Sequence, residues 1–578
     1  MSKRERPPGQ RRRWFIGLWL GFALIAAGLA CWGWYLQSDT FKVTGLRRFE
    51  NALYMTLRVF TLSDAYTTFN NTGGRWQLVV ARWMGATVFF GGVAAAGLAL
   101  FQAQLASLAA GRRRRHFLII GDHDMAAALA HLARDRNLPA LHLTHAVSVA
   151  ARTGSLISLP RAAGDDGLAV GRAVHATRVI IAETDLGQSV ENALRASERV
   201  KSLPGSAARV AVHLDDPAMA ERIHHTDGGV DLFAFSEAHA VARSIMLRHP
   251  PFLLAHRFGA PAVHILIVGF DGLGQELARD VVLNALAMNL ERPHITVIDD
   301  NAARIRRDFL HRHPELPQLC VFEVFPHLEE AHFGGAETAR GRPTICASYV
   351  CLPDSATALA AAVGLRETAI RHEMIQGPIF TRLRSGGLMR PPGGVKNLEP
   401  LRLYGFGGLA DSAVASRALL ADPDAAAKSV HASYARLGGA SAGPWEQLPE
   451  EMRASNRRVV SHIPAKLATL GFDLEPWLAL PDEQRPWPPP IASGVPLFRD
   501  AAERTRLAIL EHERWMTDRR LSGWRQGHRR DNARKIHTDF VAFDDLPEAV
   551  RALDYQVVDW MDGYLPRRAG GLDRSLLT

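Results

Sequence analysis

The stretch that decides the fold runs from residue 83 to residue 126 and reads WMGATVFFGGVAAAGLALFQAQLASLAAGRRRRHFLIIGDHDMA. Its first part, residues 83–105, carries no charged side chain and is long enough to cross a bilayer, which takes about 20 apolar residues. After four arginines at 112–115, residues 116–126 form a short apolar run that meets a glycine turn, as a strand does before its helix in an α/β domain. The sequence therefore predicts a membrane helix joined by a short connection to an α/β domain, and we expect that connection to transmit movement.

A second uncharged run, residues 14–35, follows three arginines at 11–13 and predicts a first membrane helix. The basic clusters at 11–13 and 112–115 lie outside the hairpin that the two runs form, so the positive-inside rule places both termini in the cytoplasm. We expect a multi-pass protein of a bacterial inner (cell) membrane that contacts membrane lipid.

The segment between the two spans bears on whether they form a pore or only an anchor. Residues 52–61 have apolar side chains at helical spacing and predict an amphipathic helix at the membrane interface. Two spans around a short helix resemble the pore module of tetrameric potassium channels, whose filter reads TVGYG. The stretch TTFNNTGG at 67–74 does not match that filter, so potassium selectivity by carbonyl rings is not predicted, and pore and anchor both stay open.

Charge and cysteine spacing narrow the function classes. Residues 1–13 carry six basic side chains against one acid, and together with the arginines at 112–115 they account for the whole net charge of +9. Because this excess lies beside apolar segments, no nucleic-acid partner is predicted. The four cysteines, Cys31, Cys320, Cys346 and Cys351, show no metal-binding spacing, and we predict no metal site. The first lies in an apolar predicted helix, and the other three are predicted to be buried or incidental thiols.

The first glycine turn, residues 121–126, departs from the dinucleotide fingerprint Gly-x-Gly-x-x-Gly. His123 stands at the second glycine position and Ala126 at the third, and a side chain at the second position obstructs the approach of a pyrophosphate. The next predicted strand, residues 140–144, ends without an acid for a ribose. We predict a doubly wound α/β unit with a degraded site. Its candidate nucleotide-binding residues are Gly121, Asp122 and His123.

The second glycine turn, residues 269–274, keeps the first and third glycines of the fingerprint and has Asp271 at the second position. The following predicted strand ends in two acids, where a ribose-binding acid is expected. We predict that NAD or another adenine nucleotide binds here, with its pyrophosphate at the helix N-terminus. Because a carboxylate repels phosphate, an adenosine-type or metal-held ligand is one alternative, and a Rossmann unit used only as scaffold is another. The candidate residues are Gly269, Phe270, Asp271, Gly272, Gly274, Asp299 and Asp300.

The C-terminal third contains an internal repeat. WEQLPEEMRASN at 445–456 matches FDDLPEAVRALD at 543–554, and each copy follows a predicted helix with a histidine, His431 or His512. The proline after each leucine, followed by acids, is typical of a helix start. We therefore predict a small, mainly helical module.

These observations predict an α/β protein with two N-terminal transmembrane helices, two tandem Rossmann-like domains and a C-terminal helical module. The predicted divisions are a membrane hairpin at 1–111 with spans at about 14–35 and 83–105, Rossmann-like domains at 112–261 and 262–425, and the helical module at 426–578.

Two tandem Rossmann units behind a two-span hairpin resemble the TrkA-N/RCK regulatory domains of potassium channels and transporters. The motifs that carry the resemblance are LIIGD at 118–122 and ILIVGFDGLG at 265–274. The resemblance implies binding of NAD, another nucleotide or an ion, and control of a membrane partner.

The second repeat copy resembles the RyR domain, the repeat first defined in ryanodine receptors, through EHERW at 511–515, GWRQG at 523–527 and FDDLP at 543–547. The first copy lacks the Gly-Trp-x-x-Gly segment. The resemblance implies a ligand-binding or protein-binding module, in which four side chains could line a stacking pocket for a planar ligand. The alternative is that the tryptophans are core residues. The four are His512, Trp515, Trp524 and Arg525.

The chain has no zinc-binding histidine spacing and no Walker A lysine, so the sequence favours a role other than catalysis. Our hypothesis is a membrane protein whose nucleotide-sensing domains regulate ion transport, as a homo-oligomer (dimer or tetramer) or with a transporter partner. One alternative is a membrane-anchored NAD(P)-dependent oxidoreductase. Another is a nucleotide-triggered membrane effector in bacterial defence.

Overall fold

The structure is a computed structural model, and contacts divide the chain into two compact units, Met1–Ala109 and Ala110–Thr578. The glycine-bearing stretch at 67–74 lies outside the described residues. The described residues are 8–37, 45–60, 76–162, 168, 175–202, 208–217, 219–220, 232–331, 342–371, 375–383, 403–408, 424–435, 443–445, 448, 450–480 and 484–574.

The first unit is built from helices α1 (Pro8–Gln37), α2 (Leu46–Phe60) and the greater part of α3 (Trp76–Arg112). Two segments, Trp19–Gln37 and Trp76–Ala94, are long and apolar enough to cross a membrane, by length and composition. The second segment starts before the predicted residue 83, because the helix already begins at Trp76.

Small residues let α1 and α3 approach closely. A Cβ atom on Gly91 would lie 2.2 Å from the Trp19 ring, and one on Gly33 would lie 2.6 Å from Leu78 Cδ2. Of the small-residue stretch 91–99, Gly91 therefore makes a close helix contact, as expected of small residues between membrane helices.

Helix α2 is amphipathic, as predicted. Its buried side chains are Ala52, Thr56 and Val59, which lie on one face at helical spacing. Several apolar side chains of the helix are exposed instead of buried: Leu46, Phe49, Leu53, Tyr54 and Leu57. An exposed apolar surface of this kind suits a helix at a membrane interface.

The second unit contains two parallel sheets of Rossmann topology. The first has the order β3-β4-β2-β1-β5-β6-β7, in which only β3 is antiparallel. Without β3 this is the 3-2-1-4-5-6 order of the dinucleotide-binding fold. The strands are β1 (His116–Ile120), β2 (Ala140–Thr144), β3 (Ala151–Thr153), β4 (Leu156–Pro160), β5 (Ala176–Ile181), β6 (Arg209–His213) and β7 (Leu232–Phe235). The helices are α4 (Asp124–Asp135), α5 (Leu186–Ser202), α6 (Glu237–Arg248) and α7 (Pro251–Arg257).

The second sheet repeats the plan with the order β10-β9-β8-β11-β12-β13, in which all pairs are parallel. This is again the 3-2-1-4-5-6 order. The strands are β8 (Ala262–Val268), β9 (Glu291–Ile298), β10 (Val321–Phe325), β11 (Ala347–Val350), β12 (Ile379–Arg382) and β13 (Leu403–Phe406). The helices are α8 (Gly272–Asn284), α9 (Ala302–Arg312), α10 (Leu316–Leu319) and α11 (Ser355–Arg371). The predicted α/β fold is thereby confirmed.

The C-terminal part is mainly helical and shares one continuous apolar core with both sheets. The contact-based division keeps residues 110–578 together, so the borders predicted within this range remain predictions. The helices are α12 (Ala425–Ala435), α13 (Glu450–Ser461), α14 (Ile463–Thr469), α15 (Glu475–Leu478), α16 (Ala501–Leu521) and α17 (Glu548–Tyr564). Four two-residue strands form two small pairs, β14 (Ile491–Ala492) with β17 (Arg567–Arg568) and β15 (Arg525–Gln526) with β16 (Ile536–His537).

The sequence repeat is also a structural repeat. The His431 ring lies 6.0 Å from the Trp445 ring, and the His512 ring lies 6.1 Å from the Phe543 ring. In each copy, Nε2 of the histidine lies near the carbonyl oxygen two residues before that aromatic residue, at 2.7 and 3.0 Å. The two copies therefore use one local packing arrangement.

Candidate functional site

The second turn has the tight strand-to-helix geometry of a dinucleotide-binding unit. Strand β8 ends at Val268 and α8 begins at Gly272. Gly269 has a φ of +83°, and a Cβ on Gly274 would lie 2.6 Å from the Gly269 carbonyl oxygen. Both fingerprint glycines are thus required by the backbone, since a side chain at either position would be strained or would clash.

Asp271 occupies the place where a phosphate would be expected. Its Oδ1 accepts hydrogen bonds from the backbone N–H groups of Leu273 and Gly274, at 3.0 and 3.2 Å. Its Oδ2 accepts one from Arg382 Nη1 on β12, at 2.8 Å. Helix N-termini and arginines are the usual partners of phosphate groups. The second turn therefore presents anion-binding donors, and the chain's own carboxylate fills them.

The predicted ribose-binding acid lies at the expected sheet edge. Asp299 follows β9, and its Oδ2 accepts a hydrogen bond from the Phe270 N–H at 2.9 Å. The Phe270 side chain is buried against Phe309, with the ring centroids 4.9 Å apart, so only its backbone faces the turn. Asp300 is exposed. The other oxygen of Asp299, Oδ1, accepts the Asn301 N–H at 3.0 Å. Asp299 thus holds the turn in the present arrangement through both oxygens.

The second turn also borders the first Rossmann unit. A Cβ on Gly272 would lie 3.3 Å from Cδ of Pro217, which follows strand β6. A ligand on the second turn would therefore lie beside the loop that follows the first sheet.

The first turn is held by close packing and hydrogen bonds within the first Rossmann unit. A Cβ on Gly121 would lie 1.9 Å from the Ala182 carbonyl oxygen. Asp122 accepts hydrogen bonds from Thr144 Oγ1 and from the His145 N–H, the latter at 2.8 Å. Burial alone would raise the pKa of Asp122, but these hydrogen bonds outweigh it and lower the pKa below its ordinary value. Asp122 thus ties the turn to the end of β2.

His123 caps helix α4 and meets two residues that are distant in sequence. Its Nδ1 accepts the Met125 N–H at 3.1 Å, and its Nε2 lies 3.3 Å from Asp215 Oδ1. The His123 and His213 ring centroids are 4.6 Å apart. The sequence did not predict this group. His123 follows β1, whereas the other two residues lie at and after the end of β6, so no local spacing indicates that the three meet.

Two predicted aromatic residues of the C-terminal module belong to one ring cluster. The Trp515 ring stacks on His512 with centroids 5.6 Å apart, and it meets the His537 ring at 4.9 Å. Trp524 reaches the same His537 ring at 5.9 Å. His537 and Phe540 complete this cluster and were not predicted.

The exposure of the predicted binding residues in this module differs from one residue to the next. Trp524 is only 6% exposed, and its Nε1 donates a hydrogen bond to the Glu451 carboxylate on α13. Arg525 is exposed in β15. Trp524 therefore links the two repeat copies as a core residue, whereas Trp515 is half-buried.

No protein-family model and no curated protein sequence matches the chain. Solved structures of GsuK are similar. GsuK bound to ADP is 14% identical over 69% of this chain and 96% of that chain, with a TM-score of 0.31. The GsuK channel bound to NAD is 13% identical over 70% and 83%, with a TM-score of 0.32. The GsuK RCK domain is 14% identical over 54% and 77%, with a TM-score of 0.31. Because these TM-scores are below 0.5, the similarity carries no argument about this chain. The assignment of two Rossmann units rests on the strand order and turns of the chain itself.

A cavity of about 100 Å³ lies where α6, α8 and α13 meet. Three of its arginines contact carboxylates: Arg457 contacts Asp424 at 2.5 Å, Arg458 contacts Asp518, and Arg514 contacts Glu511 at 2.7 Å. The cavity is lined by His239, Arg243, Met246, Leu247, Asp280, Leu283, Asn284, Ala454, Arg457, Arg458, Ser461, His462 and Arg514. The charged side chains that line the cavity come from both Rossmann units and from the helical module.

Three of the four cysteines, Cys320, Cys346 and Cys351, are buried thiols, as predicted. Burial raises the pKa of Cys320 and of Cys346 to about 12. Since the thiolate is the reactive form, burial disfavours reaction at both thiols.

Proposed function

We propose that the second turn binds an adenine nucleotide, NAD or a relative, and that binding regulates ion transport through the membrane hairpin or through a partner transporter. The observation that carries the proposal is the set of three donors on Asp271. Two N–H groups of α8 and the Arg382 guanidinium converge on one anionic group within a Rossmann sheet. An incoming phosphate that displaces the carboxylate finds the same donors.

The connection to the membrane helix supports regulation. Helix α3 ends at Arg112 and β1 begins at His116, so only three residues join them. Arg113 Nη1 donates a hydrogen bond to the Ala140 carbonyl oxygen at 2.9 Å, and the Arg115 N–H donates to the His175 carbonyl oxygen at 2.8 Å. This arginine segment is anchored to the first sheet, so a displacement of that sheet would be carried to the end of α3.

The test is calorimetry on the full chain in detergent with NAD, NADH, ATP, ADP-ribose and cyclic nucleotides. We expect at least one to bind and the Gly274→Val variant to lose binding, because the new side chain would meet the Gly269 carbonyl. Gly364→Val in α11 is the matched control, since a Cβ at Gly364 has no neighbour within 4 Å. Absence of binding by every nucleotide, or equal binding by Gly274→Val, would reject the site. Turnover of NAD(P)H with a carbonyl substrate would favour the oxidoreductase alternative.

A further inference from the structure

Three side chains with metal-binding chemistry converge at the carboxyl edge of the first sheet. His213 is the last residue of β6, Asp215 follows it by two positions, and His123 comes from the turn after β1. One ligand atom from each lies within 4.8 Å of the others. Within the described residues this is the one such group of histidine, cysteine and carboxylate side chains that offers three ligands.

The distances fit a small ion. Bonds of about 2.0–2.1 Å in a tetrahedral zinc site place neighbouring ligand atoms about 3.3 Å apart. His123 Nε2 and Asp215 Oδ1 are 3.3 Å apart, and the whole group needs only a shift on the order of 1.5 Å to close around an ion. The His213 ring packs against the His123 ring, with centroids 4.6 Å apart, and against the Phe235 ring, with centroids 5.4 Å apart.

The ligand types select the class of ion. Two imidazoles and one carboxylate suit zinc, cobalt or nickel, whereas magnesium and calcium prefer oxygen ligands alone. We propose that His123, His213 and Asp215 bind a divalent transition-metal ion of the zinc class. Three protein ligands leave a coordination position for water or for an anionic group. The proposal is independent of nucleotide binding at the second turn.

His123 must change its hydrogen bond to bind the ion. Its Nδ1 now accepts the Met125 N–H, so a neutral ring carries its proton on Nε2. Coordination through Nε2 moves that proton to Nδ1 and removes the helix cap. Loss of one such cap weakens metal affinity about fivefold, which a site with three ligands tolerates.

Three variants separate metal binding from structural roles. His123→Asn removes the imidazole but keeps an oxygen that caps α4, since asparagine is a good N-cap residue. His213→Phe keeps a ring of similar shape beside Phe235. Asp215→Asn changes a side chain that is 67% exposed, so we expect this variant to fold as the wild type does. His311→Gln, on the exposed surface of α9, is the control for non-specific histidine binding.

The experiment uses the full chain in detergent, stripped with a chelator and free of nucleotide. Cobalt(II) is followed by visible absorption and zinc by calorimetry. We expect one ion per wild-type chain, affinity lower by about tenfold or more in each of the three variants, and no change in His311→Gln. A wild-type chain that takes up no stoichiometric ion, or variants that bind as the wild type does, would overturn the proposal. Nucleotide binding, measured separately, would be unaffected by that failure.

Discussion

At the scale of single residues, Asp271 acts as an internal substitute for an anionic ligand. Its carboxylate accepts two N–H groups of α8 and the Arg382 guanidinium. A carboxylate at a helix N-terminus is stabilised by the helix dipole, so Asp271 stabilises the turn. The same charge opposes a phosphate, and nucleotide binding must displace it.

Asp271→Gly should therefore increase nucleotide affinity. The change completes the Gly-x-Gly-x-x-Gly fingerprint, removes a negative charge and frees three donors for the phosphate. We expect about tenfold tighter binding, or about 1.4 kcal/mol, by calorimetry on the full chain.

The matched control is Asp354→Gly. Asp354 Oδ2 accepts the Thr357 N–H at 2.8 Å at the start of α11, in the same Rossmann unit. Its loss removes an N-cap without touching the second turn, so it should lower stability and leave nucleotide affinity unchanged. Weaker or equal binding by Asp271→Gly would show that the phosphate does not use these donors.

His264 makes stability depend on pH. It is buried in β8, with Nδ1 2.6 Å from the Pro343 carbonyl oxygen and Nε2 2.9 Å from Thr296 Oγ1. Burial lowers its pKa to about 4, against about 6.5 in an unfolded chain. The unfolded chain therefore gains a proton first as the pH falls, and the stability present above about pH 6.5 is lost toward pH 4.

We expect the wild type to lose up to about 3 kcal/mol from this group between about pH 7 and pH 4. His264→Gln keeps a donor and an acceptor but does not titrate. Its stability relative to the wild type, measured by denaturant unfolding, should improve as the pH falls. A difference that stays constant across this range would contradict the assignment.

Only part of this detail could be predicted from the sequence. The fingerprint glycines and the position of Asp299 follow from local pattern, because strand, turn and helix are adjacent in the chain. The Asp271–Arg382 pair and the His123–His213–Asp215 group depend on how strands are ordered in the sheets, which no local spacing reveals.

At the scale of elements, the strands predicted beside the two glycine turns, β1, β2, β8 and β9, are mostly buried. The pattern of β8 is buried over almost its whole length, and such apolar runs are typical of the interior of parallel sheets. Strands β3, β7, β10 and β13, which were not predicted, lie at the edges of the two large sheets. Edge strands are less buried, as in β10, where every residue is half-buried although its sequence, VFEVF, is mostly apolar. β4, next to the β3 edge, was also missed.

The helical module depends on a buried ionic group between α14 and α16. Lys466 Nζ contacts Glu511 Oε2 at 2.6 Å, and both side chains are 1% exposed. Burial would raise the pKa of Glu511, but Arg514 and Lys466 lower it to about 2. Glu511→Gln removes the carboxylate that Lys466 contacts and leaves Arg514 with Asp518, 3.7 Å away, so it should cost about 3–5 kcal/mol of unfolding free energy.

Denaturant unfolding measures this cost, with Asp559→Asn as the comparison. Asp559 on α17 pairs with Arg504, which lies on α16 as Glu511 does. The Asp559 and Arg504 side chains are 47% and 41% exposed. An exposed pair contributes about 0–1 kcal/mol. Similar losses in the two variants would contradict the assigned role of the buried group.

At the scale of the whole molecule, both sheets and the helical module contribute to one large apolar core within the described part of residues 110–578, and α3 runs to within three residues of β1. The uncharged apolar runs predicted the two apolar helices, and the apolar strand patterns that meet glycine turns predicted the α/β architecture. The continuity of the helical module with both sheets could not be predicted, because it depends on packing between elements that are far apart in sequence.

Both termini should lie on the cytoplasmic side of the membrane. The reason is the basic residues outside the two apolar runs. Fusions of a compartment-sensitive reporter to residue 1 and to residue 578 should report the same, cytoplasmic, side. Reports from opposite sides would exclude a two-span hairpin.

The most direct test of nucleotide-regulated ion transport is ion flux in liposomes that contain only the purified full chain. We expect flux to change with nucleotide concentration at a midpoint that matches the calorimetric affinity. The midpoint should shift about tenfold lower in Asp271→Gly, and the response should vanish in Gly274→Val. Flux that ignores every nucleotide known to bind would contradict regulation of a pathway formed by the chain itself.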